Sequence, residues 1–573
     1  MKKLALLLGM GMYVLVPCTT YASPKPRLYT YEDDLQAKKI TGTVLNADGQ
    51  PVEGATILVK GTTLSTVSDT KGAFEITVND DNAFLVISYI GFETQEVSIS
   101  GKSNVQVTLK ASATDDLDDV IVVGYGTQKR RNVTGSISTV NGDVLRSRPA
   151  PNATNLLQGR VPGLSVTQTS AEPGRDNAQI LLRGRGSFSG GTSNSPLVLV
   201  DGITGDLSTL SPDDIDDITI LKDAASASIY GARAANGVIL VTTKRGKSGK
   251  AQFTASANVA QHRATNRPNL ISNSAEYMEM FNTAALKSNG VTFRYSQAEI
   301  DKYKAANGSA DYPNFDSYDY YVKPATIFNG NIGVSGGTDK SNYNISFSYL
   351  DQDALLPVYN FKRYNLLAKY TNNLTKNITF GTMVNGTVRN RFEPPFTGEN
   401  MMLAIYAAGP LYGPFLPDGS GRVVSRAYAA EGRNRNPQEM FIMGNQRTMD
   451  YDLNAQASLD VKFAKNLTWN NKIAVRYTDQ YYKMHQKPYQ AYLLQEKTAT
   501  GDYVSSSFGP DILGITEQYS KTLTPTFYST LNYNTRIGDA HEISALAGYE
   551  QITYSQRGLR ARRINGINYN IPE

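Results

Sequence analysis

The sequence predicts a mainly β chain in three parts: a small β-sandwich, a mixed α/β domain, and an incomplete membrane-spanning antiparallel β-barrel. Three observations predict it. Residues 40–110 break into short strand-like runs divided by turn residues. Residues 130–246 mix short strands with short capped helices. Beyond residue 250 come long runs of period two, each with one apolar and one polar face.

The first 22 residues are expected to be a secretory signal. Lys2 and Lys3 precede an apolar run from Leu4 to Val16, and small residues flank a cleavage point after Ala22. The run is short of the roughly 20 residues that span a bilayer. Cys18 is the one cysteine, so the mature chain has no disulfide and no thiol chemistry. Three histidines, His262, His485 and His541, lie far apart with no ligand spacing, and no metal or cofactor is expected. The GKS at 246–248 has Val241 where a phosphate loop needs glycine, and Gly124-Tyr125-Gly126 opens no helix. No enzymatic chemistry is expected. With a net charge of +5 and no basic cluster interleaved with aromatics, no nucleic-acid partner is expected either.

Residues 38–110 hold the runs ITGTVL, ATILVKG, AFEITV, AFLVISYI, TQEVSIS and NVQVTLK, separated by NADGQPVEG, SDTKG and NDDN. About seven short strands at this spacing predict a sandwich. A linker follows at 111–129, and it contains DDVIVVGYGTQ (118–128), a four-residue β-branched strand that belongs to neither neighbour.

In residues 130–246, LLRGRGS and LVLVDGI read as strands ending in glycine turns. In LSPDDIDDITILKD, Ser211 is expected to cap a helix with Pro212 at its first position and Asp213 and Asp214 at its positive end. Asp223 is expected to begin a second helix closed by Gly231, and Asn236-Gly237 to turn into a strand over Val238–Thr243.

From 251 to 573, LNAQASLDVKF puts Leu453, Ala455, Ala457, Leu459, Val461 and Phe463 on one face and Asn454, Gln456, Ser458, Asp460 and Lys462 on the other. NYNISFSY, NKIAVRYT, FYSTLNYN and EISALAGY alternate likewise. Such strands suit a barrel with lipid outside and water inside, the spanning structure that needs no apolar helix. NSAEYMEMFNTAAL (273–286) reads as a surface helix between the first two strands.

Taken together, the signal, the sandwich with its Asp69–Phe74 D-x-x-G-x-F, DDVIVVGYGTQ, then LLRGRGS…PLVLVDGI…LKDAASASIYGARAANGVILVTTKRG and the Tyr-rich strands resemble a SusC/RagA-type TonB-dependent outer-membrane transporter. The sandwich resembles the carboxypeptidase-regulatory-like, transthyretin/Ig-like module. The resemblance implies that the mixed α/β domain is a plug inside the barrel, and that a SusD-like surface lipoprotein acts as its lid. It implies import of oligosaccharides, or of peptides in some members, across the outer membrane, with plug and sandwich facing the periplasm. It also makes Asp119, Val120, Ile121, Val122, Val123, Gly124, Tyr125 and Gly126 the TonB box, which joins TonB by strand addition. A surface-binding or adhesive protein without transport is the alternative.

Arg183 and Arg185, on a glycine-rich turn of the plug, are expected to pair with carboxylates of the barrel wall or to touch substrate, with Asp201 a candidate partner. YPNFDSYDYY (312–321) and RNRFEPPF (389–396) have the composition of sugar contacts, which makes Tyr312, Phe315, Tyr318, Tyr320, Tyr321, Arg391 and Phe392 candidates; an interfacial aromatic girdle is the alternative. Barrels of this resemblance close with about 22 strands, whereas about ten are countable here, so the chain is expected to be a fragment of a longer transporter.

Overall fold

The computed structural model describes residues 38–564 except for 48, 61, 63, 79–82, 90, 91, 93, 111–119, 124, 125, 130–135, 147–149, 169, 188–193, 289–293, 432–435, 507, 508, 511, 512, 539 and 540. The signal expected at 1–22, most of the linker, and the residues after 564 lie outside the described residues. The chain divides into two units, residues 1–119 and 120–573.

The first unit is the sandwich. One sheet runs Ala73–Val78, Lys38–Asn46, Asn104–Leu109; the other runs Ser65–Val67, Thr56–Val59, Phe84–Ser88, Gln95–Ser98. Alternate residues point inward, so Ile40, Val44, Ile57, Phe74, Ile76, Leu85, Ile87, Val105 and Val107 form one core. The D-x-x-G-x-F pattern has a physical cause. The Asp69 carboxylate accepts the Lys71 and Ala73 amides, both at 2.8 Å. Gly72 takes φ +71°, and a β-carbon there would come within 2.4 Å of the Val44 carbonyl oxygen. Phe74 then lands in the core.

The second unit begins with the isolated strand of the linker. Val120–Val123 pairs antiparallel with Gly126–Lys129, from Val120 opposite Lys129 to Val123 opposite Gly126. Its plug has a five-stranded sheet in the order Ile137–Asn141, Ile215–Leu221, Val238–Thr243, Leu197–Val200, Ile203–Thr204. Val238, Ile239, Leu240 and Val241 are all buried, because the sheet is covered on both faces by two apolar clusters. Ser211 does cap a turn, accepting the Asp213 amide at 3.4 Å, but the helix expected there is a single 3-10 turn, Pro212–Asp214. Ile215–Leu221 is instead a strand between two others. The β-branched ITI sequence and its pairing on both sides outweigh the helix-start signal. Asp223 caps the next helix through the Ser226 amide, and Val238–Thr243 is a strand as expected.

The rest of the unit is one wide antiparallel sheet. Gly249–His262, Ala325–Gly337, Ser341–Asp353, Asn360–Asn373, Ile378–Glu393, Gly444–Ala464, Leu467–Gln486 and Gly514–Ile537 pair in sequence order. His541–Ile552 pairs with the second half of the last of these and Ser555–Ile564 with its first half, so the two occupy one strand position end to end. Among the described residues no pairing joins the two edges of this sheet.

Burial along these strands is inverted relative to a soluble sheet. Asn344, Ser346 and Ser348 are buried while Ile345 and Phe347 are exposed; Arg363 and Asn365 are buried while Tyr364 and Leu366 are exposed. Asp452, Asn454 and Gln456 are buried and Leu453 is exposed. The polar face packs on the plug and the apolar face is outside, the arrangement that lipid selects. No helix among the described residues is long and apolar enough to cross a membrane. Short turns join the strands at one end of the sheet, at 338–340, 374–377 and 465–466; segments 263–324, 394–443 and 487–513 extend from the other. Those long segments build their own layer, with helices Ser274–Lys287, Gln297–Ala306 and Gly398–Ala407 around two aromatic-rich clusters.

Candidate functional site

The site is where the plug meets the polar face of the wide sheet. One of its contacts is Asp201, on the turn after Leu197–Val200, with φ +48°. Its carboxylate lies 2.9 Å from the Lys369 ammonium and accepts the Thr243 hydroxyl at 2.6 Å and the Thr243 amide at 3.2 Å. Lys472 donates to the Asp201 carbonyl at 2.6 Å, and Gln456 to the Val200 carbonyl at 3.4 Å. Burial would raise the Asp201 carboxyl, but the Lys369 charge, the Thr243 hydroxyl and Lys472 together hold it below its ordinary value. Asp201 is therefore a fixed anion between two wall lysines. Close by, Gly246 crosses the wall so tightly that a β-carbon would sit 2.1 Å from the Tyr343 carbonyl oxygen.

A second seat surrounds the turn Leu207–Thr209, capped by the Asp206 side chain on the Ser208 amide at 2.9 Å. The turn's carbonyls are left for the wall. Arg363 donates to Ser208 O at 3.4 Å, while Asn365 and Thr387 reach Thr209 O at 2.7 and 2.8 Å. Arg389 extends to the Ser208 hydroxyl at 3.4 Å and is anchored to Asp452 at 2.7 Å. Beside them Asp176 accepts from Asn152 at 2.6 Å and from Gln352 at 3.2 Å. Asp214, at the end of its 3-10 turn, accepts from the Ser346 hydroxyl; burial lifts its carboxyl to about 6, against that hydrogen bond.

The third seat joins plug, wall and long loop. Arg175 of the plug lies 2.7 Å from Glu393 at the end of Ile378–Glu393 and 3.3 Å from Glu172. Glu172 accepts the amide of Gly398, the first residue of helix Gly398–Ala407, at 2.8 Å. Gln446 donates to Glu393 at 2.7 Å, and Arg391 lies 3.1 Å from it. Among the described residues no group of three or more His, Cys, Asp or Glu is placed to hold a metal ion.

Several expected residues sit elsewhere. Arg183 and Arg185 are exposed, and among the described residues neither forms an ion pair with the wall. Arg183, at φ +57°, hydrogen-bonds by its amide to Gly163. The partner suggested for them, Asp201, is committed to Lys369. Tyr318 and Tyr321 are buried in the loop-layer core with Met401, Ile405 and Met440, which corrects their reading as ligand contacts: they are packing residues. Phe392 is corrected too. It alternates with buried Glu393 and points outward, away from the plug. Arg391 is engaged by Glu393. Tyr312 packs half-buried against Tyr303, rings 5.2 Å apart, while Phe315 lies 5.2 Å from the exposed Tyr320. Of the expected TonB box, Val120–Val123 is one strand, whereas Gly126 belongs to the returning strand; Asp119, Gly124 and Tyr125 lie outside the described residues.

Sequence reading missed Lys369, Lys472, Arg363, Asn365, Arg389 and Glu393. A signal for the middle strand was present: in NFKRYNLLAKYTNN the residues Arg363, Asn365 and Lys369 share one face, opposite Tyr364, Leu366, Ala368 and Tyr370.

A plug docked on the polar face of a lipid-facing sheet, preceded by a separate strand, defines the class of TonB-dependent receptors. The TonB-dependent receptor plug domain matches residues 129–238, and the CarboxypepD_reg-like domain matches 40–122. TonB-dependent receptor P39 of Formosa agariphila is 30% identical over 547 residues, which cover 92% of this chain and 47% of that protein. TonB-dependent receptor SusC of Bacteroides thetaiotaomicron is 32% identical over 396 residues, covering 66% of this chain and 37% of SusC. The RagAB peptide importer in its open-open state superposes with a TM-score of 0.63 at 25% identity, over 78% of this chain and 50% of that one. The chain thus spans about half or less of the length of these relatives. Within the class it belongs to the SusC/RagA type.

Proposed function

We propose that the protein works in outer-membrane import energised by TonB, taking up oligosaccharide fragments together with a SusD-like surface lipoprotein. The observation that carries this reading is a plug held on the wall by separable polar contacts, with a pairable four-residue strand at its amino end. The outer membrane has no ATP and no sustained ion gradient, so uphill uptake draws on work delivered across the periplasm. A strand added edge to edge transmits that pull through main-chain hydrogen bonds. Val120–Val123 is the strand we assign to TonB, which would take it in exchange for Gly126–Lys129. Of the aromatics expected to touch a sugar, Tyr320 and its half-buried neighbour Phe315 are the ones we assign to that role. A peptide is the second reading of the substrate, favoured by the likeness to the RagAB peptide importer.

The experiment substitutes proline at Ile121 and Val123 and measures substrate accumulation and surface binding separately. Lost accumulation with binding retained supports energised import. Unchanged accumulation refutes it, and indifference to deletion of 119–126 would leave the adhesive alternative standing. Growth on a glycan against growth on a peptide mixture separates the two substrate readings.

A further inference from the structure

The third seat holds an arrangement that ionised carboxylates alone do not explain. One edge of a guanidinium, Nε and one Nη, ordinarily grips both oxygens of a single carboxylate. Here the Arg175 edge is divided: Nε lies 3.3 Å from Glu172 Oε1 and Nη2 lies 2.7 Å from Glu393 Oε1. The two carboxyl groups, one from the plug and one from the wall, are therefore side by side. Both are almost fully buried, with side chains 6% and 1% exposed. Three donors crowd Glu393 Oε1, from Arg175, Arg391 and Gln446, while among the described residues its Oε2 accepts no hydrogen bond, and Glu172 Oε1 has only the misaligned Arg175 Nε at 3.3 Å. Two adjoining carboxyl groups with undonated oxygens repel as a pair of anions and attract when one proton lies between them.

We infer that Glu172 and Glu393 share one proton, and that this contact is a pH-dependent latch between plug, wall and loop, closed below neutrality and loosened above it. The proton comes from solvent and bridges the two groups as an O–H···O bond. The charges facing the pair are Arg175 from the plug and Arg391 from the strand of Glu393, and the neutral amide of Gly398 donates to Glu172 at the start of its helix. Tyr359 and Tyr482 face it from the loop and from strand Leu467–Gln486. Burial first, and then the hydrogen bond to Glu393, raise the Glu172 carboxyl from 4.5 to about 7. The docked state therefore binds more protons than the undocked one between those values. Docking is fully supported below the lower value and weakens as pH rises through the upper one, by about tenfold in the opening equilibrium between pH 6 and pH 8.

Hydrogen exchange of the full chain in lipid nanodiscs at the two pH values tests this, with rates corrected for intrinsic exchange. Opening at Gly398 and over residues 170–178 should rise about tenfold from pH 6 to pH 8 in the parent, beyond any change in the sandwich. In Glu172→Gln, whose amide donates to Glu393 at every pH, opening should stay low and flat. The infrared difference spectrum should lose one protonated-carboxyl band over this interval in the parent and none in Glu172→Gln. Equal pH response in the two proteins, or a carboxyl band that survives the substitution, overturns the inference. Neither readout depends on uptake, so it fails or stands apart from the import reading.

Discussion

Replacing Asp201 by asparagine removes one charge and turns one of its two acceptor oxygens into an N–H donor. Asparagine tolerates the left-handed backbone at φ +48°, and its side chain keeps the size of the original and one of the two hydrogen bonds from Thr243. What it loses is the counter-charge to Lys369 at 2.9 Å, in a site where the two side chains are 9% and 12% exposed and the wall's Lys472 donates to the same turn. Breaking a buried pair from one side costs about 3–5 kcal/mol. Because one acceptor oxygen remains, Asp201→Asn falls near the lower end, about 3 kcal/mol, or roughly a hundredfold more frequent opening of the plug from the wall. Hydrogen exchange at Leu197–Val200 and Val238–Thr243 measures it directly. A paired substitution, Asp201→Asn with Lys369→Met, should return part of the loss, because it no longer leaves the Lys369 ammonium buried without its counter-charge. A change below about 1 kcal/mol, the level of an exposed pair, refutes the view that this contact fastens the plug.

Other consequences follow from the same structure. Gly246→Ala should loosen the plug by about 1–3 kcal/mol, since its methyl meets the Tyr343 backbone rather than a movable side chain; thermal melting of the folded protein in detergent checks it. Leu453→Arg, on the outward face, should cost about 2–4 kcal/mol of insertion if that face meets lipid, and close to nothing if it meets water; folding titrations into vesicles distinguish the two. Proline at Ile121 and Val123 should abolish accumulation and spare surface binding, as scored by labelled substrate on whole cells.

The three-part architecture was legible because each part has its own period. Alternation over 453–463 marks a two-faced strand whichever side is wet, and the turn chemistry of Asp69 and Gly72 is local. Where the reading erred, a local signal met a distant partner. Ser211-Pro212-Asp213 announces a helix correctly for one turn, and then Ile215–Leu221 is claimed by strands far along the chain. Arg183 and Arg185 attracted attention as charges on a glycine turn, yet exposure leaves them free of the wall. Lys369 and Glu393 did the fastening unnoticed, because their value depends on which plug residue arrives opposite them. Aromatic composition likewise could not separate Tyr318 and Tyr321, which hold the loop layer together, from Tyr320 beside them at its surface.

The inverted burial of the wide sheet has a mechanical consequence. Serine, asparagine and aspartate line the surface against which the plug rests, so sliding the plug away swaps each contact for one with water at a net difference of about 0.5–1.5 kcal/mol. A greasy lining would grip through its whole area at about 25 cal/mol per Å² and would dewet as it parted. This lining, buried while the plug is docked, takes up water readily as the plug leaves it. Water acts as a lubricant, and a modest tug, breaking one contact after another, suffices where a single wrench would otherwise be required.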